Sequence, residues 1–243
     1  MVKKILSIAA WIITGAALIV LFVFAYRGYV KAPLQGVTFN LEREGNKGFV
    51  EKDTTIAAVE ALCKISQHNA IGNVDMLKVQ KLLASNPWIE SASAYIGLND
   101  TLVIQAKEYK PILRIFDQGR HSVYVTAEGV IIPSSPKYTP RLIIASGHYT
   151  LPEGVDETLA IAKAIQKDEY LTGSIGQIYR NSNKQYEIMV NSLPGRVLVG
   201  DTTAIDNKLS RLHTLLEKYN GTEELMCYKT MDLRYKNQIV CTK

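Results

Sequence analysis

The sequence lacks the spacings that motif-borne catalysis and metal binding require. Its four histidines, His68, His121, His148 and His213, stand at no ligand spacing with one another, with cysteine or with a carboxylate. No Gly-x-Ser-x-Gly, no His-Glu-x-x-His and no phosphate-cradling glycine loop occurs. This excludes the motif-borne hydrolases, zincins and P-loop enzymes, and it implies no cofactor. An enzyme whose residues are scattered along the chain stays open, because catalytic groups need not be adjacent in sequence. Basic runs and interleaved aromatics are missing as well, so no nucleic-acid partner is expected. The formal net charge of +5 is that of an ordinary solvated surface. Cysteine is scarce. Cys63, Cys227 and Cys241 are odd in number, which excludes a complete set of internal disulfides. Cys63 lies on the apolar face of a predicted helix, as a buried thiol would. Cys227 and Cys241 flank a candidate hairpin, and whether they pair is open; one bridge would not make a disulfide scaffold.

What the sequence does have is one long apolar run near its start. No charge occurs from Ile5 to Ala25, and Ser7 and Thr14 are its clearly polar residues. About 20 apolar residues span a bilayer as a helix. Trp11 and Tyr26 suit the two interfaces. A cleaved signal peptide is the competing reading, with Lys3 and Lys4 as its basic start and Val23-Phe24-Ala25 as its cleavage site. Its apolar region would be longer than the ~7–15 residues usual for signals. The expectation is a four-residue cytoplasmic tail (1–4), a transmembrane helix (5–25), a connector (26–34) and an exported remainder. The basic residues Lys3 and Lys4 on one side nearly balance Arg27 and Lys31 on the other. Orientation with the N-terminus cytoplasmic therefore rests on the size of the exported part.

With 243 residues, 47% of them hydrophobic, there is room for one or two domains. The first is organised around Asp75–Pro111. Met76, Val79, Leu82 and Leu83 share a helical face, and Pro87 disfavours helix at Asn86. The period then becomes two. Ala92, Ala94 and Ile96 alternate with Ser91, Ser93 and Tyr95. After the turn Gly97-Leu98-Asn99-Asp100, Leu102, Ile104 and Ala106 alternate with polar neighbours, as in a hairpin. Upstream, Val37, Phe39 and Leu41 read as a strand. Asp53 reads as the cap of a helix carrying Ile56, Val59, Leu62 and Cys63, and His68–Asn73 as a loop. The order is strand, helix, helix, strand, strand over about 35–108.

This order resembles a POTRA domain. Phe49-Val50, the helix from Asp53, Pro87-Trp88-Ile89, Ser91-Ala92 and Asn99-Asp100-Thr101-Leu102 resemble the FtsQ/DivIB family of bacterial division proteins. Lys107-Glu108-Tyr109-Lys110-Pro111 departs from that family's usual Glu-Arg-x-Pro ending. POTRA domains also occur in outer-membrane assembly proteins, which are fused to a large β-barrel for which this chain has no room.

The second domain, 109–243, reads as α+β with an extended antiparallel sheet. Strands are expected at Ile112–Phe116, His121–Val125, Val130–Pro133, Arg141–Ala145, Ile175–Tyr179, Tyr186–Val190 and Arg196–Val199. A helix is expected at Asp156–Gln166, with Leu159, Ala162 and Ile165 inward. Ile205, Leu209, Leu212, Leu216 and Tyr219 form a helical stripe, capped by Thr203 and closed by Gly221. His213 stands beside that stripe and is expected to face solvent. Asn99-Asp100-Thr101 and Asn220-Gly221-Thr222 match the glycosylation sequon but read as turns. Thr126-Ala127-Glu128-Gly129 departs from an aspartate-glycine pattern of the family. Asp232-Leu233-Arg234-Tyr235 resembles a run that precedes that family's terminal strand. The fold class is thus α+β: an N-terminal transmembrane helix, a POTRA-like β-α-α-β-β domain, then a mixed domain.

The apolar faces and missing chemistry suit binding. A last strand, Gln238–Lys243, would follow a turn at Lys236-Asn237. At a sheet edge it offers unpaired amides and carbonyls, to which a partner adds as a strand. The family resemblance implies such a role: binding an FtsB/FtsL-like pair in a non-enzymatic scaffold at the septum, with septal wall synthases as further partners. Carried over, the contact residues are Arg234, Tyr235, Gln238, Ile239, Val240, Cys241, Thr242 and Lys243. Tyr235 is the expected hot spot, or else a core residue, since it shares parity with Met231 and Leu233. The edge at Val37–Leu41 is a second candidate. The competing functions are an anchored POTRA protein of envelope assembly or transport, and an anchored periplasmic enzyme.

Overall fold

A computed structural model describes residues 2–65, 69–119, 121–220 and 222–243, with side chains described from Ala9 onward. Helix α1 runs from Val2 to Lys31. Its segment Ala9–Lys31 is long and apolar enough to cross a membrane. The helix does not stop where the uncharged run does. Tyr26–Lys31, expected in the connector, are helical: arginine and lysine are good helix formers, no proline interrupts the ladder, and Gly28, which costs a helix about 1 kcal/mol, does not end it. The chain divides into two compact units, Met1–Glu108 and Tyr109–Lys243.

In unit 1, β1 (Gly36–Glu42), α2 (Lys52–Cys63), α3 (Met76–Ala84), β2 (Ile89–Ile96) and β3 (Thr101–Glu108) follow one another. A short 3-10 turn at Ile71–Asn73 falls where a loop was expected. The strands order β1-β3-β2, with β1 parallel and β2 antiparallel to β3. Leu102, Ile104 and Ala106 are buried, as their alternation predicts, with Val59, Cys63, Val79 and Leu83 from the helices. Asp75 caps α3 by accepting from the Lys78 N–H at 3.1 Å. Asp53 does not cap α2. The cap position is Glu51, whose side chain makes no capping bond, and Asp53 sits in the first turn. Glu108 ends β3 buried, and its carboxylate accepts from the Phe49 and Val50 amides at 2.6 and 3.2 Å. A buried carboxylate is tolerable only with such donors.

In unit 2, β4 (Pro111–Phe116), β5 (Ser122–Thr126), β6 (Ile131–Pro133), β7 (Ile143–Gly147), α4 (Val155–Gln166), α5 (Glu169–Ser174), β8 (Ile175–Arg180), β9 (Tyr186–Val190), β10 (Arg196–Gly200), α6 (Ile205–Lys218), β11 (Thr230–Asp232) and β12 (Val240–Thr242) occur in that order. They form one nine-stranded sheet, β12-β11-β10-β9-β8-β7-β4-β5-β6. The pairs β10–β11, β4–β7 and β7–β8 are parallel, and the others antiparallel. Each parallel pair needs a crossover, and α4 with α5 supplies one and α6 another. Leu159, Ala162 and Ile165 of α4 and Leu209, Leu212 and Leu216 of α6 are buried in a core with Ile178, Ile188 and Val197 of the sheet. Thr203 does not cap α6; the cap position is Ala204, in left-handed geometry at φ 50°. His68, expected to open a loop, and Gly221, expected to close α6, lie outside the described residues.

Candidate functional site

The β12 edge of the nine-stranded sheet is the site the sequence points to. The helical stripe of α6 packs on the sheet, and Met231 of β11 and Leu233 just after it continue that core, both fully buried. Tyr235 shares their parity but is 50% exposed, so it is not a core residue. The strand ends at Asp232, and the chain turns before Tyr235 can follow Leu233 inward. Asn237, at φ 59°, makes that turn in the left-handed region that asparagine tolerates.

Two arginines hold the turn. Arg211, one helical face round from the buried stripe of α6, reaches three carbonyls. Its guanidinium donates to those of Tyr235 at 2.7 Å, Gln238 at 2.5 Å and Leu233 at 2.9 Å. Five donors in a planar fork suit one arginine to several acceptors. Arg234 folds back on Asp232, its Nε 2.9 and 3.1 Å from the two carboxylate oxygens and Nη2 2.5 Å from Oδ2. These hydrogen bonds hold the Asp232 carboxyl below the usual carboxylate range, against its own burial. Gly200, at φ +76°, lies beneath this pair. A Cβ there would come within 2.9 Å of Arg234 Cγ. At the start of α6 the buried Lys208 ammonium donates to the Asp201 carboxylate and carbonyl, each at 2.9 Å. Between α6 and the turn lies a cleft of about 370 Å³, lined in part by Asn207, Arg211, Tyr235 and Lys236.

β12 pairs antiparallel with β11: Thr242 lies opposite Thr230, Cys241 opposite Met231 and Val240 opposite Asp232. The Leu233 N–H donates to the Leu198 carbonyl on β10 at 2.9 Å. Strand alternation then turns Asp232 toward Val240, and by the same alternation the N–H and C=O of Cys241 point away from β11. Side chains alternate too. Ile239 and Cys241 pack against the core, whereas Gln238, Val240, Thr242 and Lys243 are exposed. Of the expected contact residues, Arg234 is committed to Asp232. Tyr235, Gln238, Val240, Thr242 and Lys243 present surface, and Ile239 and Cys241 present backbone. Cys227 and Cys241 are both free thiols. The expected strand Gln238–Lys243 is shorter, Val240–Thr242, because Arg211 draws the Gln238 carbonyl into the turn.

Arg211 escaped the sequence reading, and Asp232 entered it only within the run before the last strand, not as the partner of Arg234. An arginine whose acceptors are backbone carbonyls more than twenty positions away leaves no local pattern. The second candidate, β1, forms one edge of the three-stranded sheet. His213 is half-buried, not solvent-facing. Its Nδ1 lies 2.5 Å from Asp168 Oδ2 and its ring centroid 5.2 Å from that of Tyr170. The cause is α5, a helix too short to be read from periodicity, which sets Tyr170 against α6.

A family model described as "FtsQ/DivIB, C-terminal related" matches residues 110–242. The match spans more than half of the chain and takes in every strand of the nine-stranded sheet, from Pro111 to Thr242. No curated protein matches.

Proposed function

The chain belongs to the FtsQ/DivIB, C-terminal related family, and from that premise we propose that it is a non-enzymatic scaffold of the bacterial division machinery. Membership itself supports a cell-division scaffold role. In the finer reading α1 anchors the protein in the inner membrane in a single pass, with residues 1–4 cytoplasmic and the rest periplasmic at the septum. Unit 1 is a POTRA-like domain, residues 35–108. Residues 109–243 take an FtsB/FtsL-like partner by strand addition at β12, and septal wall synthases are further partners.

The observation that supports strand addition is the position of β12. It ends the sheet, turns the N–H and C=O of Cys241 outward, and carries the exposed side chains of Val240 and Thr242. Added backbone bonds supply affinity and the alternating side chains supply specificity. Tyr235 stands beside the strand as an exposed aromatic suited to anchor a partner. The experiment is a pull-down from membranes with the full chain and with a chain truncated after Tyr235. Small coiled-coil membrane proteins that bind the intact chain and vanish with residues 236–243 support both the scaffold and the β12 mechanism. Equal capture by both forms removes β12 from the account. Capture of outer-membrane assembly proteins in their place moves the function to envelope assembly.

A further inference from the structure

The end of unit 1 nearest α1 is tied down by a series of backbone bonds. The Ala32 N–H donates to the Tyr29 carbonyl at 3.1 Å, Ile71 N–H to Ala32 at 2.9 Å, Leu34 N–H to Asn69 at 3.0 Å and Gln35 N–H to Asp100 at 2.9 Å. Leu34 is buried. Gly72 closes against Val30, where a Cβ would come within 2.2 Å of the valine Cγ1. The chain therefore passes from the helix to the sheet with no free linker, and the last turn of α1 is held by the folded unit.

β1 and β3 are parallel and start together, Gly36 opposite Thr101. The turn that feeds β3, Gly97–Asp100, thus lies at the α1 end of the sheet. At its tip stands Leu98, fully exposed and, among the described residues, the most exposed large apolar side chain. The turn is rigid. The Gly97 N–H donates to the Thr101 carbonyl at 2.8 Å, the Thr101 hydroxyl donates to Asn99 Oδ1 at 2.6 Å, and Asp100 sits at φ 56°. Gly97, Asn99 and Asp100 are what such a turn demands. Leucine is not, and neither the turn nor the core has a use for its side chain.

The last two turns of α1 carry Tyr26, Arg27, Tyr29 and Lys31. Aromatics and cations of this kind mark a bilayer interface. At about 1.5 Å per residue, Tyr26–Lys31 rises roughly 8 Å. That matches the headgroup layer on one side of a bilayer, about 5–8 Å. The Gln35–Asp100 bond then brings the turn to the outer surface of that layer. We infer that the Gly97–Asp100 turn rests on the phospholipid surface and that Leu98 inserts into its headgroup layer, a second contact with the bilayer beside α1. This rests on the reading of α1 as a retained membrane anchor. Two contacts on one tied unit fix its tilt over the membrane, which a single helix does not.

The test uses the full chain in phospholipid vesicles, with Trp11→Phe to remove the emission of α1. Tryptophan is placed at the tip by Leu98→Trp and, as control, by Asn46→Trp in the exposed loop after β1, at the opposite end of the sheet. The shared Trp88 background is subtracted. The expected result is blue-shifted emission at position 98, quenched by lipids brominated high on the acyl chain and shielded from aqueous acrylamide. Position 46 shows the reverse. Equal acrylamide access at both positions, with no lipid quenching at 98, overturns the inference. The parent chain separates the two readings. If Trp11 is quenched by bromolipid while position 98 is not, only the tip contact fails. If Trp11 is not quenched and the chain does not float with the vesicles, the anchor fails and the tip contact with it.

Discussion

The nine-stranded sheet has two edges, and they meet solvent differently. β6 is short and ends in Pro133, with Pro136 and Pro140 close behind. Proline has no N–H to give to an added strand, so prolines at an edge discourage pairing. β12 is as short but carries no proline, and the turn before it is held by Arg211 and by the Arg234–Asp232 pair. One edge is closed by backbone chemistry. The other is kept open and kept in shape. A sheet that only needed to avoid aggregation would treat both alike. The difference supports the proposal that a partner binds at β12.

The largest effect is expected from removing what distinguishes that edge. Cys241→Pro takes away an outward N–H without touching a ladder bond to β11. Partner capture is expected to fall by about 30-fold or more, equivalent to roughly 2 kcal/mol, while the thermal melt of the chain alone moves little. Capture that survives the substitution would break the comparison. Arg211→Ala comes next. It frees three carbonyls at once, and a loss of about 1–2 kcal/mol is expected in urea unfolding. Amide exchange should quicken across residues 233–240. Arg211→Lys should restore little of this, since an ammonium is a point charge and not a planar fork.

The pH dependence is smaller. The folded state holds the Asp232 carboxyl below its ordinary value, chiefly through the Arg234 hydrogen bonds. A depressed carboxylate contributes stability that is full above about pH 4 and is lost as pH falls through the folded value. Acid titration followed by exchange at β11 and β12 should therefore show the hairpin loosening below about pH 4. Asp232→Asn should be less stable by about 1 kcal/mol at neutral pH and flatter in acid. The smallest effect sharpens the comparison from the other side. Ile131→Lys on β6, where the isoleucine is exposed, should leave partner capture and stability unchanged within about 0.5 kcal/mol.

Much of this architecture was legible because burial imposes period. The stripe Leu209, Leu212 and Leu216 and the alternation Leu102, Ile104 and Ala106 are buried as they read. What was not legible depends on pairing between distant residues. Nothing local in Gly36–Glu42 says that it lies parallel to β3, or in Ile143–Gly147 that it lies between β4 and β8. Helix ends misread for a related reason. Asp53 and Thr203 are good capping residues, yet backbone geometry put the cap at Glu51 and Ala204. At the site, strand and turn could be read from Asn237 and the alternation around Val240. The clamp could not, because its acceptors are main-chain carbonyls that look the same in every sequence. Tyr235 shows the limit of parity: it follows Met231 and Leu233 in phase, but the strand has already ended.

The most direct test of partner addition at β12 is hydrogen exchange on the full chain, alone and with an FtsB-like partner bound. The account predicts new protection at the amides of Cys241 and Lys243, with β6 unchanged at Ile131–Pro133. Saturated binding that leaves both of those amides exchanging as before, or that protects β6 in their place, would contradict it.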